Sequence, residues 1–214
     1  MKVYRELRRK YGEPRGQWSL WCKRSPPRRG EARPTKLGGK TLKDREEVVI
    51  GAILTQRTNW QNVALALNNL KKAKVNSLKD IGRLGERKLA PFIRPSGFYQ
   101  TKAGYLFNLA EFIVKDCGGL TQMQKEDLAA LREKLLDLKG IGPETCDSIL
   151  LYALDKPVFV IDEYTRRLVK KRGLAPQTGY DFLQKLFEEN IKKDFAFYQD
   201  FHALIVIDGK TYLK

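Results

Sequence analysis

The sequence predicts an all-α fold. Beyond residue 45 apolar residues recur at steps of three and four, short Gly- or Pro-marked loops separate the runs, and only PVFVI (157–161) looks extended. Five extended residues do not make a sheet. Val48, Val49, Ala52 and Ile53 form one stripe, and Val63, Leu65, Ala66 and Leu70 a second. Tyr99, Ala103, Leu106, Leu109 and Ile113 form a third. Residues 125–138 (KEDLAALREKLLDL) carry acids early and Lys134 late, which suits the helix dipole. Residues 178–206 read as one or two more helices. Loops are expected at Gly82–Gly85, Pro95–Gly97, Gly118–Gly119, Gly140–Gly142 and Gly173–Thr178. No repeat of solenoid period is present.

Composition narrows the function. The 214 residues carry 41 Lys+Arg against 25 Asp+Glu and one His, a net charge of +16. A hydrophobic content of 42% supports a real core and excludes wholesale disorder. No stretch approaches the roughly 20 apolar residues of a membrane span, and no apolar block follows the first basic residues as in a signal peptide. Cys22, Cys117 and Cys146 are too few and too scattered for a disulfide framework or a cysteine-rich metal site. Residues 1–45 hold fifteen Lys/Arg and four Asp/Glu, a net +11. Pro14, Pro26, Pro27 and Pro34 prevent one long helix there. Tyr11, Trp18 and Trp21 lie among these charges, a mixture suited to tracking phosphates and stacking bases. The expected class is a soluble intracellular protein with a polyanionic partner.

The most informative window is residues 138–168. Leu135 and Leu138 close one helix, Gly140-Ile141-Gly142 makes a tight turn in which both glycines can take positive φ, and Pro143 opens the next helix at N1. Turn amides and a helix N-terminus then converge where a DNA phosphate can sit, with Lys139 beside them. Ile149, Leu150 and Ala153 face inward, as does Cys146. Twenty residues after Gly142, Asp162 ends PVFVI and begins EYTRRLVKK. An acid there caps the helix, and the dipole keeps it ionised. It is thus better suited to stabilising positive charge than to donating a proton.

LKGIGPETCDSIL followed by VFVIDEYTRRL resembles the helix-hairpin-helix, Gly/Pro…Asp superfamily of DNA glycosylases, in its endonuclease III-like branch. AILTQRTNWQNV (52–63), RPSGFYQTKAGYL (94–106) and FHALIVIDGK (201–210) resemble further segments of the same family, in the same order. The resemblance spans 46–210. TQRTNW, RPSGFY and GIGPET are most similar to the 3-methyladenine DNA glycosylase III group. It implies two helical lobes around a cleft: a six-helix barrel at about 46–155 with the hairpin at 138–153, and a second lobe from 1–45 and 156–214.

The resemblance also implies roles. Asp162 would stabilise the oxocarbenium-like transition state and orient water. Lys139, Gly140, Ile141 and Gly142, with Gln56 and Arg57, would bind DNA, Gln56 filling the gap left by the flipped base. Trp60, Trp18 and Trp21 would face each other across the base pocket and favour cationic purines. Bifunctional relatives carry a Schiff-base lysine where this chain has Glu144; Lys139 and Lys156 fall outside that position, which argues for a monofunctional enzyme. Many relatives end in a four-cysteine iron–sulfur loop; this sequence stops where that loop would begin, so no metal and no iron–sulfur cluster are expected. Some relatives have a lysine at the Leu204 position, and the lone His202 reads as a structural residue.

The expected function is excision of damaged bases, alkylated purines such as 3-methyladenine first, from double-stranded DNA by a monomer away from membranes. The compartment would be cytoplasmic, at the nucleoid, or nuclear in a eukaryote. The alternatives are a uracil or thymine mismatch glycosylase and a catalytically silent helix-hairpin-helix module. Oxidised guanine fits less well, since relatives specialised for it use the missing lysine.

Overall fold

In the computed structural model, which describes residues 1–22 and 39–211, the chain is helical throughout, and no strand occurs among the described residues. The basic stretch Lys23, Arg24, Arg28, Arg29, Arg33 and Lys36 lies outside them.

Helix α1 (Lys2–Tyr11) and the single turn α2 (Trp18–Trp21) open the chain. Helix α3 (Leu42–Leu54) starts at a reciprocal cap between Thr41 and Asp44 and buries Val48, Val49, Ile50, Ile53 and Leu54. Packed on it are α4 (Trp60–Lys72), α7 (Tyr99–Glu111) and a wide helical turn at Ile149–Ala153. Helices α5 (Leu78–Leu84) and α6 (Glu86–Leu89) lean on α7, and α8 (Leu120–Met123) on α3. Helix α9 (Leu128–Leu136) is capped by Asp127, which accepts from the Ala129 and Ala130 amides. It leads into α10 (Pro143–Ser148), which the wide turn continues. Helices α11 (Glu163–Arg172), α12 (Tyr180–Asn190) and α13 (Phe195–Thr211) complete the chain.

Two local expectations need correction. The stripe of α4 is Val63, Ala66, Leu67 and Leu70, while Leu65 is 55% exposed. Two residues span about 200° of a helix, so positions 63 and 65 face opposite ways. Gly82 lies inside α5, and the chain turns only at Gly85, where φ is +76°. PVFVI, as expected of so short a run, forms no strand. The Phe159 amide donates to Glu188 Oε1 (2.7 Å), and Gln184 Nε2 donates to the Phe159 carbonyl (2.8 Å). Side chains of α12 thus satisfy a buried backbone that a sheet would otherwise have to satisfy.

The N-terminal arm is packed. Leu7 is fully buried where α1 meets α13. Arg172 forks onto both oxygens of Glu6 at 2.7 Å, and Lys10 and Tyr11 donate to Asp208 at 3.0 and 2.7 Å. Several of the arm's charges are therefore used inside the protein. Deeper down, Asp155 accepts from Arg45 (2.8 Å) and Gln199 (3.0 Å) and pairs with Lys40 (3.3 Å), tying the start of α3 to α13.

Candidate active site and DNA-facing surface

The hairpin lies between α9 and α10. Gly140 takes φ +90°, and a Cβ there would meet the Tyr105 ring at 2.3 Å, so both conformation and space require glycine. Gly142 is different from expectation: its φ is −90°, an ordinary extended value, and nothing lies within 4 Å of where a Cβ would sit. Its use is open space for an approaching backbone. Ile141 also departs from its assigned role, because its side chain is buried and its amide donates to the Leu138 carbonyl at 3.0 Å. It anchors the hairpin to the core. Among the described residues the Gly140, Gly142 and Glu144 amides find no acceptor, and Lys139 stands exposed beside them. This leaves a small donor surface at a helix start.

Asp162 is the N-cap of α11, and its Oδ1 accepts the Thr165 amide at 2.7 Å. It is 8% exposed. Its Oδ2 lies 3.4 Å from His202 Nε2, within ion-pairing reach but without hydrogen-bond alignment. Burial pushes its pKa up, but the imidazole and the Thr165 amide outweigh that and hold the carboxyl below its usual range. His202 Nδ1 meets the hydroxyl of the fully buried Tyr152 at 2.8 Å, and that hydroxyl donates to the Gln199 carbonyl at 3.2 Å. His202 lines the cavity beside the acid that it faces.

Asp162 opens onto a cavity of about 520 Å³ that also takes in Glu144, Trp18, Trp21, Trp60, His202 and Lys210. The indoles form a wall of a different kind from the one expected. Trp21 meets Trp60 edge-on, with centroids 5.8 Å apart and planes at 86°, and Trp18 meets Trp21 at 5.8 Å and 83°. A base sandwiched between two rings needs them parallel and about 7 Å apart, twice a van der Waals contact. Edge-to-face packing is the favoured arrangement of free aromatic rings. A base entering this cavity would therefore stack on one indole face. Trp18 and Trp21 rest on Tyr152 (5.7 and 5.1 Å), and Gly51 leaves room for them: a Cβ there would lie 3.2 Å from Trp21 and 3.7 Å from Trp60.

Gln56 and Arg57 follow the end of α3, Arg57 with φ +52°. Gln56 Nε2 donates to the Gly140 carbonyl (2.9 Å) and Thr145 Oγ1 (3.1 Å), so its side chain rests on the hairpin. The buried Lys102 ammonium donates to the carbonyls of Leu54 (2.9 Å) and Ser96 (2.7 Å) and so fixes the base of this loop; burial lowers its pKa to about 8. A second groove, about 930 Å³, runs from Gln56 and Arg57 past the hairpin to Arg166. On its edge Phe98 is 64% exposed at φ +47°. The sequence reading missed Phe98, Tyr152 and Gly51. An aromatic directly after Pro95-Ser96-Gly97 was the one signal available for Phe98.

Residues 50–193 match the model of the HhH-GPD superfamily, base excision DNA repair proteins. This chain belongs to that superfamily. A Methanocaldococcus jannaschii protein, provisionally named a DNA repair glycosylase, is 45% identical over 173 residues, 79% of each chain. The solved 3-methyladenine DNA glycosylase of H. pylori, bound to 1,N6-ethenoadenine, is 37% identical with a TM-score of 0.71, over 78% of this chain and 86% of that one. A non-covalent endonuclease III–DNA complex shares the fold at a TM-score of 0.72 and 16% identity, over 100% of this chain and 85% of that one.

Asp162 lines the cavity and Gly140 and Gly142 line the adjoining groove, with Gln56, Arg57, Glu144 and Thr145 common to both. The three cysteines are unbridged, and Cys146 is buried. Cys22 donates to the Gln199 carbonyl (3.6 Å), Cys146 to that of Arg132 (3.7 Å), and no group of three or more metal-binding side chains occurs among the described residues. No described helix is long and apolar enough to cross a membrane.

Proposed function

We propose that this HhH-GPD glycosylase hydrolyses the N-glycosidic bond of damaged purines in duplex DNA without strand cleavage, alkylated purines such as 3-methyladenine being the first substrates. One observation carries the reading: a buried, ionised Asp162 opens onto an indole-walled cavity beside exposed hairpin amides. A silent DNA-binding module has no use for a buried carboxylate fixed at a cavity. The indole wall favours electron-poor and cationic bases. Resemblance to the H. pylori enzyme supports the substrate class.

In the mechanism, the hairpin amides and Lys139 hold the phosphate backbone. Gln56 releases the hairpin and enters the stack, Phe98 wedges beside it, and the flipped base stacks on an indole. As the bond to the base lengthens, the sugar gains positive charge, which the Asp162 carboxylate stabilises at short range in a site shielded from water. Water then adds to C1′. Glu144 stands where an imine-forming lysine would be needed, and a carboxylate forms no imine. The enzyme works as a monomer without a metal.

The test is incubation with duplexes that each carry one lesion, analysed with and without alkali. Breaks at the lesion that appear only after alkali, and no borohydride-trapped adduct, support the reading. No base release from any duplex would refute it, and strand breaks without alkali would refute monofunctionality.

A further inference from the structure

Two carboxyl groups face the cavity, and their surroundings differ. Asp162 is clamped by the Thr165 amide and paired with His202. Glu144 lines the same cavity from the first turn of α10. It is open to the cavity, and its carboxyl has no hydrogen bond or ion pair among the described residues. No cation fixes it in the ionised form.

The groups around Glu144 act in opposite directions. The residue is exposed, yet partial desolvation by the surrounding wall is the largest influence and raises its pKa; the Asp162 carboxylate raises it further, and Glu163 adds to this. His202 and Arg166 pull it down, as does its place at the start of a helix. Lys210 and Arg57 line the cavity as well. The net displacement is upward. A duplex closing over the cavity would exclude water and push the same way. Asp162 is fixed by the Thr165 amide while Glu144 faces the same cavity with no partner for its carboxyl among the described residues, and the two environments displace their pKa values in opposite directions, the arrangement that separates a charge stabiliser from a proton donor.

We propose that Glu144 is the general acid of this site, giving its proton to a ring nitrogen of a neutral damaged purine as the glycosidic bond breaks. The inference rests on the glycosylase reading above. A cationic purine takes the electron pair of the C1′–N bond and leaves as a neutral molecule, so it needs no proton. A neutral purine would leave as an anion. With Glu144 protonated, the carboxyl proton moves to the base, the bond's electron pair follows the base, and a neutral purine departs. Water adds its oxygen to C1′, and the proton it loses returns to the Glu144 carboxylate. Asp162 remains ionised throughout. The position that in bifunctional relatives carries an amine would here carry the acid that extends the substrate range to uncharged lesions.

The experiment compares single-turnover excision of 7-methylguanine (cationic) and 1,N6-ethenoadenine (neutral) from duplexes across the pH range in which the protein stays folded, in wild type, Glu144→Gln and Glu144→Asp. In wild type the neutral lesion should be cut more slowly as pH rises through the pKa of Glu144, while the cationic lesion shows no such fall. In Glu144→Gln the neutral lesion should slow by about 10²-fold or more, the range of general acid catalysis, and lose its alkaline fall, so that the neutral-to-cationic rate ratio drops at least tenfold. Glu144→Asp should retain the alkaline fall at reduced rate. The proposal is overturned if both lesions slow equally in Glu144→Gln, if neither slows, or if wild type cuts only the cationic lesion. Absence of excision of either lesion by wild type at any pH would instead refute the glycosylase reading.

Discussion

The hairpin and the base cavity border one another and are built by opposite means. The hairpin is local: one turn of contiguous chain, with a left-handed Gly140 and free amides, and its chemistry is backbone. The cavity is assembled from chain positions 184 residues apart, Trp18 to His202, and its chemistry is side chain. A backbone site tolerates most side-chain changes and fails when its dihedral angles cannot form. A side-chain site fails one function at a time. The difference predicts that hairpin substitutions weaken DNA binding and cavity substitutions weaken turnover.

The largest effect tests the cavity. Asp162→Asn keeps a good N-cap and most of the shape but removes the charge. Excision should fall at least ~10²-fold while affinity for lesion duplex stays within a few-fold, because the charge matters mainly in the transition state. Single-turnover rates and equilibrium binding measure the two separately; equal losses in both would break the comparison. The pH dependence has a definite sign. Asp162 is held below its usual range, so its ionised form, and whatever stability it contributes, is present above the unfolded-state value and is lost as pH falls through the lowered one. Excision of a cationic lesion should therefore persist to lower pH than an ordinary aspartate would allow.

The next effect tests the hairpin. Gly140→Ala asks an L-residue to adopt φ +90° with its Cβ 2.3 Å from the Tyr105 ring. Left-handed strain of about 1–2 kcal/mol plus the displaced ring should lower the melting temperature by several degrees. DNA affinity should fall about tenfold, while turnover of bound substrate should fall much less. Loss of turnover alone would show that the hairpin serves the cavity directly. A smaller effect is expected from Trp60→Ala. It removes one indole face and leaves Trp18 and Trp21 on Tyr152. Excision of cationic purines should fall several-fold more than that of neutral ones, measured on paired duplexes.

The same contrast explains what the sequence reveals. The hairpin and Asp162 were legible because each is a contiguous motif with its own local physics: glycine for a left-handed turn, Pro143 at a helix start, an acid at an N-cap. The helices around the core were legible from their period. The cavity's other parts were not, because their meaning depends on the packing of distant segments. Trp18 and Trp21 entered by resemblance, and nothing local indicated that they would meet Trp60 edge-on. Tyr152 reads as one more apolar-face residue, and only the fold brings its hydroxyl to His202. Gly51 reads as an ordinary helical glycine, and only the fold shows the indoles above it. The arm's charge count was accurate, but which charges are free is a tertiary fact: Lys10 is paired with Asp208 and Arg172 with Glu6.

Paired and free charges also give the finest test, because two lysines that look equivalent in sequence should behave oppositely. Lys139 is exposed beside the hairpin amides and has no hydrogen bond or ion pair among the described residues. If it neutralises one phosphate, Lys139→Ala should lower the slope of log affinity against log salt by about 0.9 and weaken binding a few-fold at ordinary salt. Excision by the saturated enzyme should be unchanged, since no phosphate contact of this kind changes between ground and transition state. Lys10 donates to Asp208, and that bond and the one from Tyr11 hold α1 on α13. Hydrogen bonds to Tyr11 and Asp208 raise its pKa, so its charge already serves the fold. Lys10→Ala should therefore leave the salt slope where it is and lower the melting temperature. A reduced slope in Lys10→Ala would mean that the arm touches DNA through its paired charges as well. An unchanged slope in Lys139→Ala would mean that the hairpin binds by its backbone amides alone.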